Sequence, residues 1–280
     1  LSGDPLEHPV QLGRYEVQRA IGRGGMGAIF LAVDKDLARP VALKILSTAD
    51  PSAFKRFRQE AMAVARIVHP NVVQIHEVGF DAQVPYLVME YVPGGTVSDL
   101  IRDPEVPLPL PWLRGTRIIH CIAKGLGAAH THGIVHRDIK PSNLLLVKRT
   151  GDEAKIADFG IAKLTDGENL TREGSFVGTV GYLSPEQAKG RHVDARSDVY
   201  SLGLTWYKLL TGVSAFEGTT AEVLQQTVNR ETSPDPREYN PEIPLAVVEM
   251  VQRMTALDPA LRPRDCNVVA AGMSVLLGTP

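Results

Sequence analysis

The run IVHRDIKPSNLLLV (134–147) gathers a guanidinium, a carboxylate, an ammonium, a hydroxyl and an amide between two apolar stretches. Pro141 argues against a continuous helix, and the residue before it, Lys140, is biased to extended backbone. Arg137, Asp138, Lys140, Ser142 and Asn143 are therefore expected on a loop. NLLLV then reads as a strand, KRTGDE as a turn and AKIADFG as a returning strand. In an antiparallel hairpin the first residue of one strand lies beside the last of the other, which brings Asn143 to Asp158. An amide oxygen beside a carboxylate suits magnesium, which completes its octahedron with waters and nucleotide phosphates. Taken singly, a loop Asn and a loop Asp are ordinary turn formers. The hairpin is what raises this pair above that reading.

A second group of candidates lies nearer the start. IGRGGMGAIF (21–30) places glycines at 22, 24 and 27, with one more at 25. The pattern G-x-G-x-x-G suits close backbone approach to phosphate, although on this string alone a hairpin tip serves as well. A dinucleotide site needs a helix after the glycines. Here Ile29-Phe30-Leu31-Ala32-Val33 reads as a strand, and so does YEVQRAI before it, with Tyr15, Val17, Arg19 and Ile21 alternating. In PVALKIL (40–46), Val41, Leu43 and Ile45 point one way and Ala42, Lys44 and Leu46 the other. Under the glycine loop, Ala42 offers a small apolar surface and Lys44 a cation; a Lys snorkelling from a sheet edge is the plainer account. SAFKRFRQEAMAVARIV fits a helix whose stripe Phe57, Ala61, Val64, Val68 also carries Glu60. A carboxylate on an apolar face calls for a partner, and pairing with Lys44 explains both misplaced charges at once.

These residues need a scaffold. From Gly13 to Val92 short strand patterns dominate, interrupted by one helix, and after VPGG (92–95) the chain turns helical at 112–132, 195–212, 219–230, 244–257 and 264–277. A β-rich first third followed by a helical remainder suggests two lobes. The prolines of DPEVPLPLPW (103–112) favour extended polyproline II and a surface connection. The H-x-H of AHTHGIVH (130, 132, 136) invites a zinc reading, but no nearby Cys or carboxylate completes four ligands, so surface histidines are expected.

Composition narrows the classes. With 280 residues, 44% apolar and 22% charged, the chain can bury one large core or two modest ones. Lys and Arg total 30 against 32 Asp and Glu, a net charge of −2, so no global basic field points to nucleic acid or a membrane surface. Cys121 and Cys266 are too few for a disulfide framework, which fits a reducing compartment. No apolar run reaches a membrane-spanning length and no secretory signal opens the chain. A start at Leu1 suggests a fragment of a longer protein.

Read in order, GRGGMG, VALK, a helix with Glu60, HRDIKPSN, DFG, SPE and SDVYSLG resemble the eukaryotic-type (Hanks-type) serine/threonine protein kinase catalytic domain, from about Gly13 to Leu277. Lys140, two residues after Asp138, resembles the serine/threonine branch rather than the tyrosine branch; IGRGGMG and YLSPEQA are similar to bacterial members. The resemblance implies an α+β, two-lobed kinase fold: a small N-lobe of antiparallel sheet plus one helix, and a larger, mainly helical C-lobe. The corresponding division is a tail at 1–12, the N-lobe at 13–92 and the C-lobe at 93–280.

The same resemblance implies roles. Ile21, Gly22, Arg23, Gly24, Gly25, Met26, Gly27, Ala28 and Ile29 would cover ATP. Lys44 would hold its α- and β-phosphates while paired with Glu60. Ile21, Ile29, Ala42 and Leu145 would sandwich adenine, with hinge backbone bonds from Glu90 and Val92 behind Met89. Asp138 would accept or orient the proton of the attacking hydroxyl, Lys140 would stabilise the moving phosphoryl group, and Asn143 and Asp158 would hold Mg2+. Glu186 is expected to pair with Arg262, and Asp198 to brace the catalytic-loop backbone. Two departures, SPE for A-P-E and Ile29 for Val, are both small.

The stretch between DFG and SPE carries Thr165, Thr171, Ser175 and Thr179. In the family that the chain resembles, an Arg at the position of Arg137, directly before Asp138, marks a loop ordered by phosphate–Arg pairing, so the resemblance implies Thr171 as the first autophosphorylation candidate and Ser175 as the second. Thr179 would contact Asp138 and Lys140. A flexible loop with incidental hydroxyls is the alternative. The implied partners are ATP and proteins bearing Ser or Thr, in the cytoplasm, without nucleic acid or membrane insertion by this stretch. A parent anchored to a membrane elsewhere, and a homodimer for trans-autophosphorylation, are both compatible. A pseudokinase scaffold is the competing reading, disfavoured because Lys44, Asp138, Asn143 and Asp158 are all present. A small-molecule phosphotransferase is disfavoured by Lys140 and SPE.

Overall fold

The computed structural model of the chain describes residues 11–24, 27–46, 51–81, 84–159 and 180–279. These fall into two compact units, one from residues up to 68 together with 73–92, the other from 69–72 and from 93 onward.

The first unit is built on strands β1 (Gln11–Leu12), β2 (Tyr15–Gly24), β3 (Gly27–Asp34), β4 (Arg39–Leu46), β5 (Ile75–Asp81) and β6 (Val84–Glu90), with helix α1 (Pro51–Ala65) between β4 and β5. They form one antiparallel sheet in the order β1-β2-β3-β4-β6-β5. Alternation on β3 and β4 sends Phe30, Ala32, Val41, Leu43 and Ile45 to one face, where they bury against Tyr15 and Val88. The other face of β4 carries Ala42, Lys44 and Leu46, as the PVALKIL pattern required. Glu77 secures one end of the sheet by accepting from Tyr15 Oη at 2.6 Å, Tyr86 Oη at 3.0 Å and Arg14 Nη2 at 2.9 Å. Burial, followed by the Glu77 carboxylate, pushes the Tyr86 phenol up to about 12.

Three expectations change here. Gln11 and Leu12, read as tail, pair with β2, and Leu12 is buried. The alternation read along β2 is broken by register shifts between Val17 and Arg19 and between Ala20 and Gly22. As a result Ala20 packs on the core and Ile21 is exposed, because each extra residue in a bulge inverts the side-chain parity beyond it. The helix stripe ends at Val64. The Ile67 N–H closes a tight turn on the Val64 carbonyl at 2.9 Å, which buries Ile67 and leaves Val68 85% exposed.

The second unit contains α2 (Val97–Arg102), α3 (Trp112–Thr131), strands β7 (Leu144–Leu146) and β8 (Ala154–Ile156), α4 (Pro185–Ala188), α5 (Ala195–Thr211), α6 (Thr220–Asn229), α7 (Leu245–Met254) and α8 (Cys266–Leu277). Helix α5, with Tyr200, Trp206 and Tyr207 all buried, is buried nearly all round and forms the centre of this unit. It is capped by Asp194 at its start and by Gly212 in the left-handed region at its end. Helix α3 packs against α5, α8 and β8. The proline segment is more than a surface connection. It contains a cis Leu108–Pro109 peptide, and Leu110 is buried, its N–H donating to the Leu209 carbonyl at 3.1 Å.

Candidate active site

Local sequence chemistry builds the site in the second unit. A 3₁₀ turn, Pro141–Asn143, precedes β7, with Lys140 extended before the proline. β7 pairs antiparallel with β8, Leu144 opposite Ile156. The next rung is a hydrogen bond from Ala157 N–H to the Asn143 carbonyl at 2.9 Å, one residue before Asp158. Asp138, Lys140 and Asn143 meet directly. Lys140 Nζ lies 2.9 Å from Asp138 Oδ2, and Asn143 Nδ2 donates to the same oxygen at 3.1 Å and to the Asp138 carbonyl at 2.7 Å. With its nitrogen turned to Asp138, the Asn143 amide can ligate a cation only through its oxygen.

His136 sets the spacing between the two acidic residues. It is fully buried against the Phe159 ring, centroids 4.7 Å apart. Its Nδ1 accepts the Asp138 N–H at 3.2 Å, so the proton sits on Nε2, which donates to the Ala157 carbonyl at 3.0 Å. Burial pushes this imidazole below its ordinary range, against the pull of Asp198, which keeps that neutral tautomer in place. One rigid ring thus joins the peptide that leads into Asp138 to the one that leads into Asp158.

Strain marks the same two places. Arg137 and Asp158 have φ of 65° and 51°, values that non-glycine residues rarely adopt and that cluster at functional sites. Buried Asp198 holds the first: its Oδ1 accepts the Arg137 N–H at 2.8 Å and its Oδ2 the His136 N–H at 2.7 Å. The His130 side chain is 2% exposed, its Nε2 2.9 Å from Asp198 Oδ2 while its Nδ1 accepts the Cys266 N–H at 3.2 Å. This corrects the reading of His130, His132 and His136 as surface residues. Only His132 is exposed; the other two are internal braces, and no group of three or more metal-ligating side chains occurs among the described residues.

Elsewhere in the second unit, Arg262 and Glu186 pair through two bonds, Nη1–Oε1 at 2.8 Å and Nη2–Oε2 at 3.1 Å. Arg262 also donates to the Ala256, Leu257 and Arg196 carbonyls and lies over the Tyr200 ring. Burial pushes the Glu186 carboxyl up, and bonds from Arg262 and Ser197 together with the Arg262 charge overcome it and hold it below the usual carboxylate range.

The remaining candidates lie in the first unit. Register places Gly22 opposite Ile29, Ile29 opposite Lys44 and Ala42 opposite Met89, so Ile29, Ala42, Lys44 and Met89 share one sheet face. Arg23 pairs with Ala28 and Gly24 with Gly27. Lys44 and Glu60 are half-buried, with Glu60 Oε2 shielded from water. The Glu90 N–H donates to the Gln74 carbonyl at 2.9 Å, so a hinge bond from Glu90 must be one that its carbonyl accepts. Val92 is buried, and Leu145, in β7 of the other unit, is half-buried. Gly25, Met26, Thr165, Thr171, Ser175 and Thr179 lie outside the described residues.

Two glycines of the loop differ in why they are glycine. Gly27 has φ of 144°, and a Cβ there would sit 1.8 Å from the Ile45 carbonyl oxygen; the fold itself demands it. Among the described residues, a Cβ on Gly22 would meet nothing nearer than 3.8 Å. Packing among the described residues gives no reason for glycine at 22.

Comparison with known proteins matches residues 15–271 to the protein kinase domain. The chain belongs to that family. This kinase domain is 38% identical over 250 residues to the serine/threonine-protein kinase PrkC of Bacillus subtilis, covering 88% of the chain and 38% of PrkC. It is 37% identical over 277 residues to PknL of Mycobacterium tuberculosis, covering 98% of the chain and 68% of PknL. The kinase domain thus spans about two fifths of the length of several curated relatives, 39% of a probable serine/threonine-protein kinase of Clostridium acetobutylicum among them. Among solved structures, the PknI kinase domain of M. tuberculosis superposes with a TM-score of 0.73 at 28% identity, over 95% of this chain and 97% of that one. The α+β fold of a protein kinase follows: an antiparallel-sheet unit with one helix, and a mainly helical unit. No helix among the described residues is long and apolar enough to cross a membrane.

Sequence reasoning missed Gln187, whose Nε2 donates to the Arg137 carbonyl at 2.8 Å. The S-x-x-Q spacing of Ser184 and Gln187 announces a helix cap but gives no sign of the second bond.

Proposed function

We propose that the chain transfers the γ-phosphoryl group of ATP to serine and threonine hydroxyls of proteins, in line with the names of its relatives. The observation that carries this reading is the Asp138 carboxylate bracketed by Lys140 Nζ at 2.9 Å and Asn143 Nδ2 at 3.1 Å, on a backbone fixed by His136. Asp138 orients the attacking hydroxyl and takes its proton, and Lys140 follows the charge of the moving phosphoryl group. Catalysis in this class is mainly positioning and charge neutralisation, and a strained loop held by Asp198 and His136 supplies the positioning.

The donor chemistry fits the metal: the Asn143 amide oxygen and the Asp158 carboxylate are the oxygen ligands magnesium takes. Held there, magnesium would neutralise charge on the phosphate oxygens. In the first unit, Gly22 to Ile29 offer backbone to the phosphates and Lys44, with Glu60 as its expected partner, offers a cation. Ile21, Ile29 and Ala42 offer an apolar surface to adenine, followed in the chain by Met89, Glu90 and Val92; Leu145 is the further residue that the family resemblance assigns to adenine. On this reading residues 13–92 handle the nucleotide and 93–280 the acceptor and the chemistry.

The two glycines separate ligand from fold. Gly27→Ala should lower the melting temperature, at a cost of about 1–3 kcal/mol in strain. Gly22→Ala should melt like the parent and bind ATP roughly tenfold more weakly, the size of one or two lost backbone hydrogen bonds. Calorimetry on both variants checks this, and a Gly22→Ala variant with unchanged affinity would remove Gly22 from the phosphate site.

Activation is expected through Arg137, whose Nε is buried without a hydrogen-bond partner among the described residues. Such a group suits a phosphate supplied from the segment that holds Thr171 and Ser175. Incubation with ATP and magnesium, then phosphopeptide mapping, should find phosphothreonine at 171 first and phosphoserine at 175 second. Active chain with both positions empty would overturn this assignment, and phosphate transferred to tyrosine or to small alcohols alone would overturn the substrate class.

A further inference from the structure

Gln187 completes the cap of α4 and also reaches beyond it. Its Oε1 accepts the Ser184 N–H at 3.0 Å, its own N–H donates to Ser184 Oγ at 3.3 Å, and its Nε2 donates to the Arg137 carbonyl at 2.8 Å. That carbonyl belongs to the peptide leading into Asp138, and the N–H of the same peptide donates to His136 Nδ1. Both polar ends of the peptide that carries the proposed base are therefore held by side chains, one of them from the helix that follows the activation segment.

The residue type is informative. A helix cap of this kind needs an acceptor at the third position, and Glu supplies it as well as Gln does. Only an amide can accept from Ser184 and at the same time donate to Arg137; a carboxylate would set negative charge against the Arg137 carbonyl. Arg137 needs such a hold, because its φ of 65° would otherwise relax and rotate the peptide that aims Asp138. Asp198 holds the Arg137 N–H, and Gln187 holds its carbonyl.

We propose that Gln187 is a positioning residue for phosphoryl transfer, its amide donor fixing the Arg137–Asp138 peptide. The proposal rests on the kinase reading above.

The test is Gln187→Glu, which keeps the cap acceptor and removes the donor. Initial rates of phosphate transfer to casein and to the chain itself, with ATP and magnesium, should show kcat lowered about 10- to 100-fold, the effect of a small misplacement of a catalytic group. The KM for ATP and the melting temperature should match the parent. The ratio of parent to variant rate should narrow as pH falls into the carboxyl range, since the protonated carboxyl can donate again; a purely structural role predicts no such recovery. Ser184→Ala, which weakens the cap and leaves the amide donor, should melt earlier yet turn over near the parent rate. If Gln187→Glu does not fold, Gln187→Met, uncharged and similar in length, should show the same loss of kcat without recovery at low pH. Either Gln187 variant turning over at the parent rate overturns the proposal. A parent chain that transfers no phosphate overturns the kinase reading itself and the proposal with it.

Discussion

Asp138→Asn is expected to bind ATP as the parent does and to transfer phosphate roughly 10²- to 10⁴-fold more slowly, the usual contribution of a general base. Asp138 is held by its backbone, through His136 Nδ1, and its carboxylate gathers Lys140 Nζ and Asn143 Nδ2 on one oxygen. An amide keeps the shape and the backbone bond but cannot accept the proton of an attacking hydroxyl. It also withdraws the negative charge that keeps Lys140 in place, so the loss falls on the rate of the chemical step. Rates of transfer at saturating ATP, with affinity measured by calorimetry, separate the two quantities. A variant within tenfold of the parent rate would remove Asp138 from the chemistry.

The largest effect on stability is expected from Glu186→Ala. The Arg262 side chain has no exposure, and its charge is balanced by Glu186 alone among the ion pairs it makes in the described residues. Removing one partner of a buried pair leaves an uncompensated charge and costs about 3–5 kcal/mol, which should appear as a clear fall in the urea midpoint. Three carbonyls remain as acceptors for Arg262, so the variant should still fold in the absence of urea.

The pair also predicts a pH dependence. The Glu186 carboxyl in the folded chain lies below its ordinary value, so the stability it confers is present above about pH 4.3 and is lost as pH falls through the folded value. Acidification should therefore erode the parent more steeply than Glu186→Ala. An equal urea midpoint for the two at neutral pH would show that the pair contributes nothing net.

What could be read from the sequence followed local rules. Two strands and a turn of fixed length set the hairpin, and strand pairing then brings Asn143 to Ala157, next to Asp158 in sequence. The period of two along PVALKIL put Lys44 and Ala42 on one face because β4 is central and regular. The edge-proximal β2 was not legible in this way: its bulges depend on the register of β3, and no property of Val17 or Ile21 announces them. His130 looked like a surface residue because its partners, Asp198 and the Cys266 N–H, are 68 and 136 residues away. Gln187 was hidden for the same reason, its second bond spanning 50 residues. Local pattern located the reactive groups, and long-range hydrogen bonds, invisible to it, determine how rigidly they are aimed.

The central claim is protein-directed phosphoryl transfer by this chain. Intact-mass spectrometry of dephosphorylated chain, before and after incubation with ATP and magnesium, tests it most directly. The parent should gain mass in steps of about 80 Da, one per phosphate, and Asp138→Asn treated alongside should gain none. A folded, ATP-binding parent that gains no mass would contradict the account.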